Sequence, residues 1–508
     1  MKKRNYIALH PSRCGHSRPA AFICAIALTC FTLPGLAHAQ CNSACDADST
    51  VFGYNASDNV SGTNNTVIGA YALEYYHGND NTAVGAGALH NINANASENT
   101  AVGSEALNGS TNMGVPNSTG SYNTATGFQA LFSNHDGSYN TADGWKALSS
   151  NTSGTDNVAM GSAALLYNQT GSYNTALGTN ALANNTVNEN TAVGYLAMGT
   201  STTGVQNAAL GAGAMYANLT GSYNTATGWG ALNSNHDGQS NVANGWGALF
   251  SNTTGYANTA SGTQALQKNT TGYYNTASGA NALYKNNGTR NTSVGENSLP
   301  NNTTGSNNVS LGFQAGLNLT TGSNNIDIGA NVTGPAGEAS VTRIGNTTQK
   351  KTFIGGIYNK TVASGVGVIV NSSGQLGTVQ SSARYKDDIK PMDKASEAIL
   401  AFKPVTFRYK EELDPNKIPQ FGLIAEEVEK INPDLVVRDE DGKVSTVRYE
   451  AVNAMLLNEF LKAHRKVEEQ QVAIARQQKQ IEALTAGLQK VTAEVETGTT
   501  ARPIAVDN

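Results

Sequence analysis

A serine and a lysine shortly after residue 380 are the residues of this sequence best placed to do chemistry. Ser381 and Lys386 stand five positions apart in Ser-Ser-Ala-Arg-Tyr-Lys. A serine hydroxyl attacks a carbonyl only when a base removes its proton, and a lysine is such a base only when burial lowers its pKa. Taken alone, the pair would be interpreted as a turn with a solvated charge, so its chemistry depends on the surrounding sequence.

Three other patterns could bind a ligand, but each has a simpler structural interpretation. His135-Asp136 and His236-Asp237 both lie in Asn-His-Asp-Gly, which is first of all a turn sequence. The acidic run 439–442 lacks the later ligands of a calcium loop and predicts a hairpin turn. No pair of acids has a convincing placement for glycoside hydrolysis. We therefore expect no metal and no cofactor.

Aromatic residues recur in the middle of the chain. They could hold sugar rings along a groove, although packing on the surface of the repeats is the simpler interpretation. They are Tyr122, Phe128, Tyr139, Trp145, Tyr223, Trp229 and Trp246.

The middle of the chain repeats about every seventeen residues. The phrase Asn-Thr-Ala-x-Gly-x-x-Ala-Leu alternates at its start like a strand, and the Asn-, Gly- and Ser-rich remainder is typical of turns. Two short strands and two turns per repeat predict a parallel β-roll with one rung per repeat. Sixteen copies are marked by Gly69, Gly85, Gly103, Gly127, Gly144, Gly161, Gly178, Gly194, Gly211, Gly228, Gly245, Gly262, Gly279, Gly295, Gly312 and Gly329.

The small residues of the repeat favour association of several copies. Alanine and glycine bury little apolar area, at about 25 cal/mol per Å², so we expect a single roll to be poorly supplied with core. Polar residues stand at the fourth place of the phrase in Thr126, Asp143, Thr227, Asn244, Ser261 and Ser278. Similar rungs also predict a register problem, since copies slipped by one repeat would make nearly the same contacts.

Charge divides the chain near residue 380. Residues 1–40 carry five Lys or Arg and no acid, 41–380 carry eight bases and fifteen acids, and 381–508 carry nineteen bases and twenty-two acids. The weak acidity of the last two segments disfavours nucleic acid as a partner.

The first 39 residues predict an export signal. A basic start precedes an apolar stretch from Ala20 to Leu36 and a small-x-small site ending at Ala39. The apolar stretch is short for a membrane span. We expect a secreted or cell-surface protein with no membrane span in the mature chain. Cleavage would leave Cys41 and Cys45, either as a disulfide or as free thiols.

A coiled coil is predicted over 459–496, followed by a disordered tail over 497–508. A heptad pattern supports it, and a solitary surface helix is the alternative. One column of the pattern is Phe460, Val467, Ile474, Ile481, Leu488 and Val495, and the other is Leu456, Ala463, Gln470, Gln477, Leu484 and Val491.

Two resemblances extend these predictions. The repeats, over about residues 50–345, resemble the head repeats of trimeric autotransporter adhesins and repeats of phage tail fibres. The opening 381–389 and the blocks 403–409, 421–428, 433–436 and 447–449 are similar to the intramolecular chaperone domain of phage endosialidases and other tailspikes, whose opening motif is Ser-Asp-x-Arg-x-Lys. This second resemblance covers residues 381 to about 465.

The chaperone resemblance implies that the domain helps the upstream fibre to trimerise and then cleaves itself off before the motif serine. Ser381 would be the nucleophile, Lys386 the base, and Gln380-Ser381 the scissile bond. Ser382 stands where the family usually has aspartate. By trimerising first, such a domain would also align the repeats of the three chains.

The sequence therefore predicts a mainly β protein with a parallel β-roll over 40–340 and closing strands and a linker over 341–380. An α+β chaperone domain over 381–458 and the trimeric coiled coil would follow. The expected function is an exported homotrimeric fibre or adhesin-like surface protein that acts as a peptidase only on itself. The alternatives are a fibre that binds a cell-surface glycan or host receptor, and a prophage-derived tail fibre with a chaperone cap that does not cleave.

Overall fold

The computed structural model describes residues 49–57, 62–75, 78–91, 96–109, 120–355, 357, 365–371, 373–439 and 441–498. The predicted signal peptide, Cys41, Cys45 and the tail from residue 499 lie outside these ranges. The chain divides into two compact units, Met1–Phe353 and Ile354–Asn508.

A parallel β-solenoid forms the first unit, which confirms the predicted fold class. Within the described residues it contains eighteen three-residue strands, each paired in parallel with the next in sequence. They are β1 (Thr50–Phe52), β2 (Thr66–Ile68), β3 (Thr82–Val84), β4 (Thr100–Val102), β5 (Thr124–Thr126), β6 (Thr141–Asp143), β7 (Val158–Met160), β8 (Thr175–Leu177), β9 (Thr191–Val193), β10 (Ala208–Leu210), β11 (Thr225–Thr227), β12 (Val242–Asn244), β13 (Thr259–Ser261), β14 (Thr276–Ser278), β15 (Thr292–Val294), β16 (Val309–Leu311), β17 (Ile326–Ile328) and β18 (Thr342–Ile344).

The sixteen predicted copies correspond to β2–β17, and the structure adds one rung at each end. The repeat phrase does not reveal β1 and β18, because Ser49 and Val341 stand where the other repeats have asparagine. Arg343 also replaces the alanine of the phrase in β18.

Each rung contains one strand instead of the predicted two. The opposite side of the rung is a series of turns, in which the leucine of the phrase has a left-handed backbone, as in Leu131 with φ 51° and Leu148 with φ 52°. Such a backbone is unfavourable for leucine. It is held by hydrogen bonds between rungs, such as the one of 3.0 Å from Leu131 N to Ala147 O.

The interior of the solenoid is closed within a single chain. In a typical rung the middle strand residue, Ala125, and the pair Ala130 and Leu131 are fully buried. The polar residues at the fourth place of the phrase, such as Thr126 and Asp143, point outward instead of into the core. The expectation that a single roll is poorly supplied with core is therefore wrong, because a narrow interior needs only small side chains and one leucine per rung.

Two columns of buried asparagine complete this interior. Asn140 N donates to Asn123 Oδ1 at 3.0 Å, and Asn140 Nδ2 donates to Gly154 O at 2.9 Å. In the second column, Asn151 Nδ2 donates to Asn134 Oδ1 at 2.7 Å. A side-chain amide both donates and accepts, so it can link each rung to the one before. The asparagines of the second column were predicted as turn residues, but both columns are ladder residues of the core.

The second unit begins with a hairpin made of β19 (Val368–Val370) and β20 (Leu376–Thr378). We expected the segment 341–380 to close the roll. Among the described residues of this segment, β18 pairs with β17 of the solenoid, and β19 and β20 pair with each other across the turn from Asn371 to Gln375.

An α+β segment and a long helix complete the second unit. The small core of the segment contains Val428, Leu435, Val447 and Met455. No helix in the described part of the chain is long and apolar enough to cross a membrane. The elements are the 3₁₀ turns η1 (Ala383–Tyr385), η2 (Asp393–Ala401) and η3 (Pro433–Leu435), the strands β21 (Val405–Phe407), β22 (Gln420–Gly422), β23 (Val436–Arg438) and β24 (Val444–Val447), and the helices α1 (Ala425–Ile431) and α2 (Tyr449–Gly498).

Candidate functional site

Ser381 and Lys386 lie side by side just before the α+β segment. Lys386 Nζ is 3.4 Å from Ser381 Oγ. The 3₁₀ turn η1 makes this contact possible, because Tyr385 N donates to Ser382 O at 3.1 Å and Lys386 N donates to Ala383 O at 3.2 Å. The structure thus brings together the two residues that the sequence singled out.

Ser382 caps the turn that holds the pair. Its Oγ accepts hydrogen bonds from Arg384 N at 3.4 Å and from Arg384 Nε at 3.3 Å. Serine and aspartate are both among the preferred residues at a helix N-cap. The serine that departs from the family motif can therefore do the same capping as the aspartate it replaces.

The pair is exposed to solvent in the single chain, and so is Gln380 on the other side of the expected cleavage site. A lysine side chain acts as a base only where burial removes it from water. The pair is therefore in position but is not desolvated.

The later blocks of the motif pack against one another. Leu423 N donates to Tyr449 Oη at 3.0 Å, which joins β22 to the start of α2. A side chain at Gly422 would place its Cβ 2.9 Å from the same Tyr449 oxygen, so glycine leaves room for this contact. Arg448 N donates to Leu435 O at 2.8 Å. The later blocks, although far apart in sequence, thus form one small fold that follows the candidate pair.

Residues 381–437 match the family model described as chaperone of endosialidase. The match begins at the serine of the candidate pair and ends within β23, which confirms the resemblance predicted for this segment. A chaperone of this family after a β-solenoid fits a tail-fibre or tailspike-like protein, and the family implies oligomeric self-assembly. No curated protein and no solved structure compared with the chain gives a match.

A partly buried polar cluster joins residues 381–437, which match the chaperone family and are called the chaperone segment below, to helix α2. Ser396 in η2 is fully buried, and its Oγ lies 2.7 Å from Asn458 Nδ2 and 3.3 Å from Lys462 Nζ. Lys462 Nζ also donates to Glu459 Oε1 at 2.6 Å. Hydrogen bonds from Lys462 and Ser396 lower the pKa of Glu459 below its usual value. Sequence reasoning missed this cluster, because Glu459 and Lys462 look like ordinary solvated charges on a helix.

The face of α2 beside this cluster is apolar and uncovered. Leu456 is 59% exposed and Phe460 is 62% exposed. The exposed stripe continues along the predicted heptad columns through Val467, Ile474, Ile481, Leu484 and Leu488. The chaperone segment therefore packs on one face of α2 and leaves the heptad face free.

The last rungs of the solenoid contain a buried carboxylate. Asp327 occupies the interior position where most rungs have alanine, and its side chain is 1% exposed. Arg343 Nη1 lies 4.0 Å from Asp327 Oδ1, and Arg343 is itself bound by both carboxylate oxygens of Glu338. Burial raises the pKa of Asp327 to about 6, against the opposing effect of Arg343. The phrase Ile-Asp-Ile gave no sequence signal for this role.

The histidine–aspartate pairs lie in turns between rungs. His135 and Asp136 contact each other at 2.8 Å, and the backbone N–H groups of both donate to Thr152 O. At the second pair, Asp237 Oδ1 accepts a hydrogen bond of 2.7 Å from Thr220 Oγ1. Among the residues the structure describes, no three potential metal ligands cluster together.

Several of the singled-out aromatic residues stack on one another. The rings of Tyr122 and Tyr139 are 4.8 Å apart and nearly parallel at 3°, and those of Trp229 and Trp246 are 5.4 Å apart at 12°. Lys146 Nζ lies 4.8 Å from the centre of the Trp145 ring. Phe128 and Tyr223 are exposed. In each stacked pair, one face of either ring is covered by the other ring, so the aromatic residues pack against one another along the solenoid.

Proposed function

We propose that the protein is an exported homotrimeric fibre or adhesin-like surface protein whose chaperone segment promotes assembly and then cuts itself off between Gln380 and Ser381. The observation that carries this proposal is the distance of 3.4 Å between Lys386 Nζ and Ser381 Oγ. The contact lies at the first residue of the segment that matches the chaperone family.

The proposed reaction uses only this pair and water. Ser381 Oγ attacks the carbonyl carbon of Gln380, while Lys386 removes the hydroxyl proton and delivers it to the amide nitrogen of Ser381. The C–N bond breaks, and the acyl group of Gln380 is now an ester on Ser381 Oγ. Water hydrolyses this ester, which leaves a carboxylate on Gln380 and a free hydroxyl and amine on Ser381.

Assembly would activate the reaction. The lysine must lose its solvent shell to become a base, and it is exposed in the single chain. Burial of the pair by neighbouring copies would supply that desolvation, so cleavage would follow correct assembly. After the chaperone segment has been cut off, an unfolded fibre could no longer refold with its help. The folded fibre would then persist because its unfolding is slow.

The exposed stripe of α2 supports self-association through a coiled coil. Its heptad columns are typical of helices that pack against copies of themselves, and Gln470 and Gln477 in the seam would fix their register. The cluster around Ser396 contacts Asn458, Glu459 and Lys462, none of which belongs to the heptad columns, so it leaves the seam uncovered.

Mass spectrometry of the full chain tests self-cleavage. We expect a fragment that begins at Ser381 from the native protein, and none from Ser381→Ala, Lys386→Ala or Lys386→Arg. The arginine variant keeps the charge but removes the base. Lys390→Ala, at an exposed lysine of the same segment, is the matched control and should cleave normally.

A chaperone cap that does not cleave is the second candidate, and the solvent exposure of the pair favours it. An intact native chain that sediments as a trimer would establish this cap and overturn self-cleavage. The glycan-binding alternative has less support, because the stacking of Trp229 on Trp246 already gives these rings a packing role. A glycan array comparing the native protein with Trp145→Ala and Trp246→Ala tests it directly.

A further inference from the structure

The last residue of each solenoid strand is apolar in some groups of consecutive strands and polar in others. Each such group is called a band below. These positions are apolar in β1–β4, polar in β5–β6, apolar in β7–β10, polar in β11–β14 and apolar in β15–β18. In order, the bands are Phe52, Ile68, Val84 and Val102; Thr126 and Asp143; Met160, Leu177, Val193 and Leu210; Thr227, Asn244, Ser261 and Ser278; and Val294, Leu311, Ile328 and Ile344.

These side chains face outward and are available to a partner. In β7 and β10 the middle alanine is buried, whereas Met160 is 45% exposed and Leu210 is 52% exposed. The strands are paired in register, so the banded residues form a single column on one face of the sheet. Fold stability does not require apolar residues there, because the interior is already filled by alanine, leucine and asparagine.

We propose that this strand face binds a second copy of the chain, rung against rung, and that the unequal bands fix the register between copies. The inference rests on the proposed homo-oligomeric fibre and names the surface that joins its solenoids. Apolar bands meet apolar bands over the whole column only when the copies are aligned at the same rung. A slip of one rung sets an apolar residue against a polar one at each of the four band boundaries.

A second copy fits this face better than an unrelated partner does. Rungs of identical copies have identical spacing, so two columns stay level from one end to the other. The polar bands differ in length, two rungs and then four, so the pattern matches itself in one alignment only. The register problem expected from the repeat phrase is thereby reduced, because the outward column distinguishes rungs that the phrase treats as equivalent.

Photo-crosslinking in the full chain tests this surface. The photoreactive residue p-benzoylphenylalanine replaces Leu210 on the strand face or, as the matched control, Tyr216 in the turn of the same rung. We expect crosslinks between copies from position 210, confined to β9–β11 of the other chain, and several-fold fewer from position 216. Crosslinks from 216 alone would overturn the proposed surface. Crosslinks from 210 that spread over distant rungs would overturn the proposed register.

A second variant tests the bands themselves. Replacing Thr227, Asn244, Ser261 and Ser278 by valine erases the longer polar band. We expect the variant to assemble still, with crosslinks from position 210 spread over more rungs than in the native protein. Crosslinks that stay confined would show that the bands do not set the register.

Sedimentation of the same samples separates this inference from the proposed function. A monomeric protein would overturn both the proposed trimer and the strand-face contact. A trimer without crosslinks from position 210 would overturn the strand-face contact alone.

Discussion

The two units of this protein differ in where their apolar side chains go. In the solenoid, the leucines of successive rungs, such as Leu165 and Leu182, are fully buried within one chain. In the second unit, α2 exposes a long apolar stripe that includes Ile474 and Ile481. The solenoid therefore fills its core within one chain, whereas the described part of the second unit leaves a long apolar stripe exposed. The difference teaches that the need for assembly lies in surfaces, and not in an unfilled solenoid core.

The largest expected effect comes from breaking the solenoid at a rung glycine. Gly262 has φ +138°, and an added Cβ would lie 2.5 Å from Gly279 O. Gly262→Ala should destabilise the neighbouring rungs by roughly 3 kcal/mol, because the backbone is strained and the next rung must move. Hydrogen exchange of the rungs β12–β14 measures this loss.

Gly247→Asn is the matched control. Gly247 has φ +63°, and the corresponding residues of other rungs include Asn180 and Asn281 with φ 56° and 55°. We expect a change of no more than about 1 kcal/mol. Equal losses in the two variants would contradict the close approach of the rung glycines as the cause.

The next effect concerns substitutions in the apolar stripe of α2, which should weaken assembly without changing the solenoid. Ile474→Ser and Ile481→Ser should each weaken assembly by about 2 kcal/mol or more per chain, if the stripe is buried between copies. Thermal unfolding of the solenoid in the monomer should not change. Sedimentation velocity measures the assembly, and Val472→Ser, an exposed apolar residue outside the predicted seam, is the control. Equal weakening in the control would speak against a heptad seam.

An effect that depends on pH sharpens the comparison at the end of the solenoid. The pKa of Asp327 is raised from 3.8 to about 6, mainly by burial. Protonation therefore stabilises the folded state, fully below about pH 4, and this stabilisation is lost as the pH rises through about 6. Arg343 and Glu338 are the charged groups against this carboxylate.

Asp327→Asn should remove this pH dependence. Above pH 7 the variant should be more stable than the native chain by up to about 3 kcal/mol, and the difference should shrink toward pH 4. Circular dichroism melts from pH 4 to pH 8 measure the difference, with the exposed Asp143→Asn as control. A difference that is constant across this range would exclude burial of the charge as the cause.

The smallest effect concerns the cap of the turn beside the proposed nucleophile. Ser382→Ala removes a side-chain acceptor worth about 1 kcal/mol, so cleavage should slow by about fivefold. Ser382→Asp keeps a preferred cap and should retain most of the native rate. The rate at which the fragment beginning at Ser381 appears is the measurement. If the alanine variant cleaves as fast as the native protein, the cap does not position the pair.

The sequence predicted the structure well at positions where a residue type has a single structural role. The strand Thr-Ala-x, the roll and the proximity of Ser381 to Lys386 follow from local phrases. Asparagine after the phrase was misleading, because its amide serves turns and buried ladders equally well, as at Asn151. Asp327 and Glu459 gave no signal, since their roles come from the rung or the turn that packs against them. The sequence alone does not reveal the outward bands, because the structure is needed to show that the fourth residue of the phrase faces solvent.

The backbone stacking of the rungs also bears on how the protein can change in evolution. In the described part of the solenoid, hydrogen bonds from backbone groups, asparagine amides and hydroxyl groups link each rung to the rungs next to it. A duplication of seventeen codons would therefore lengthen the solenoid by about 4.8 Å without disturbing its cross-section. Copies encoded by one gene would lengthen together and keep their bands level. Selection can therefore adjust the length of the solenoid in whole repeats, one rung at a time.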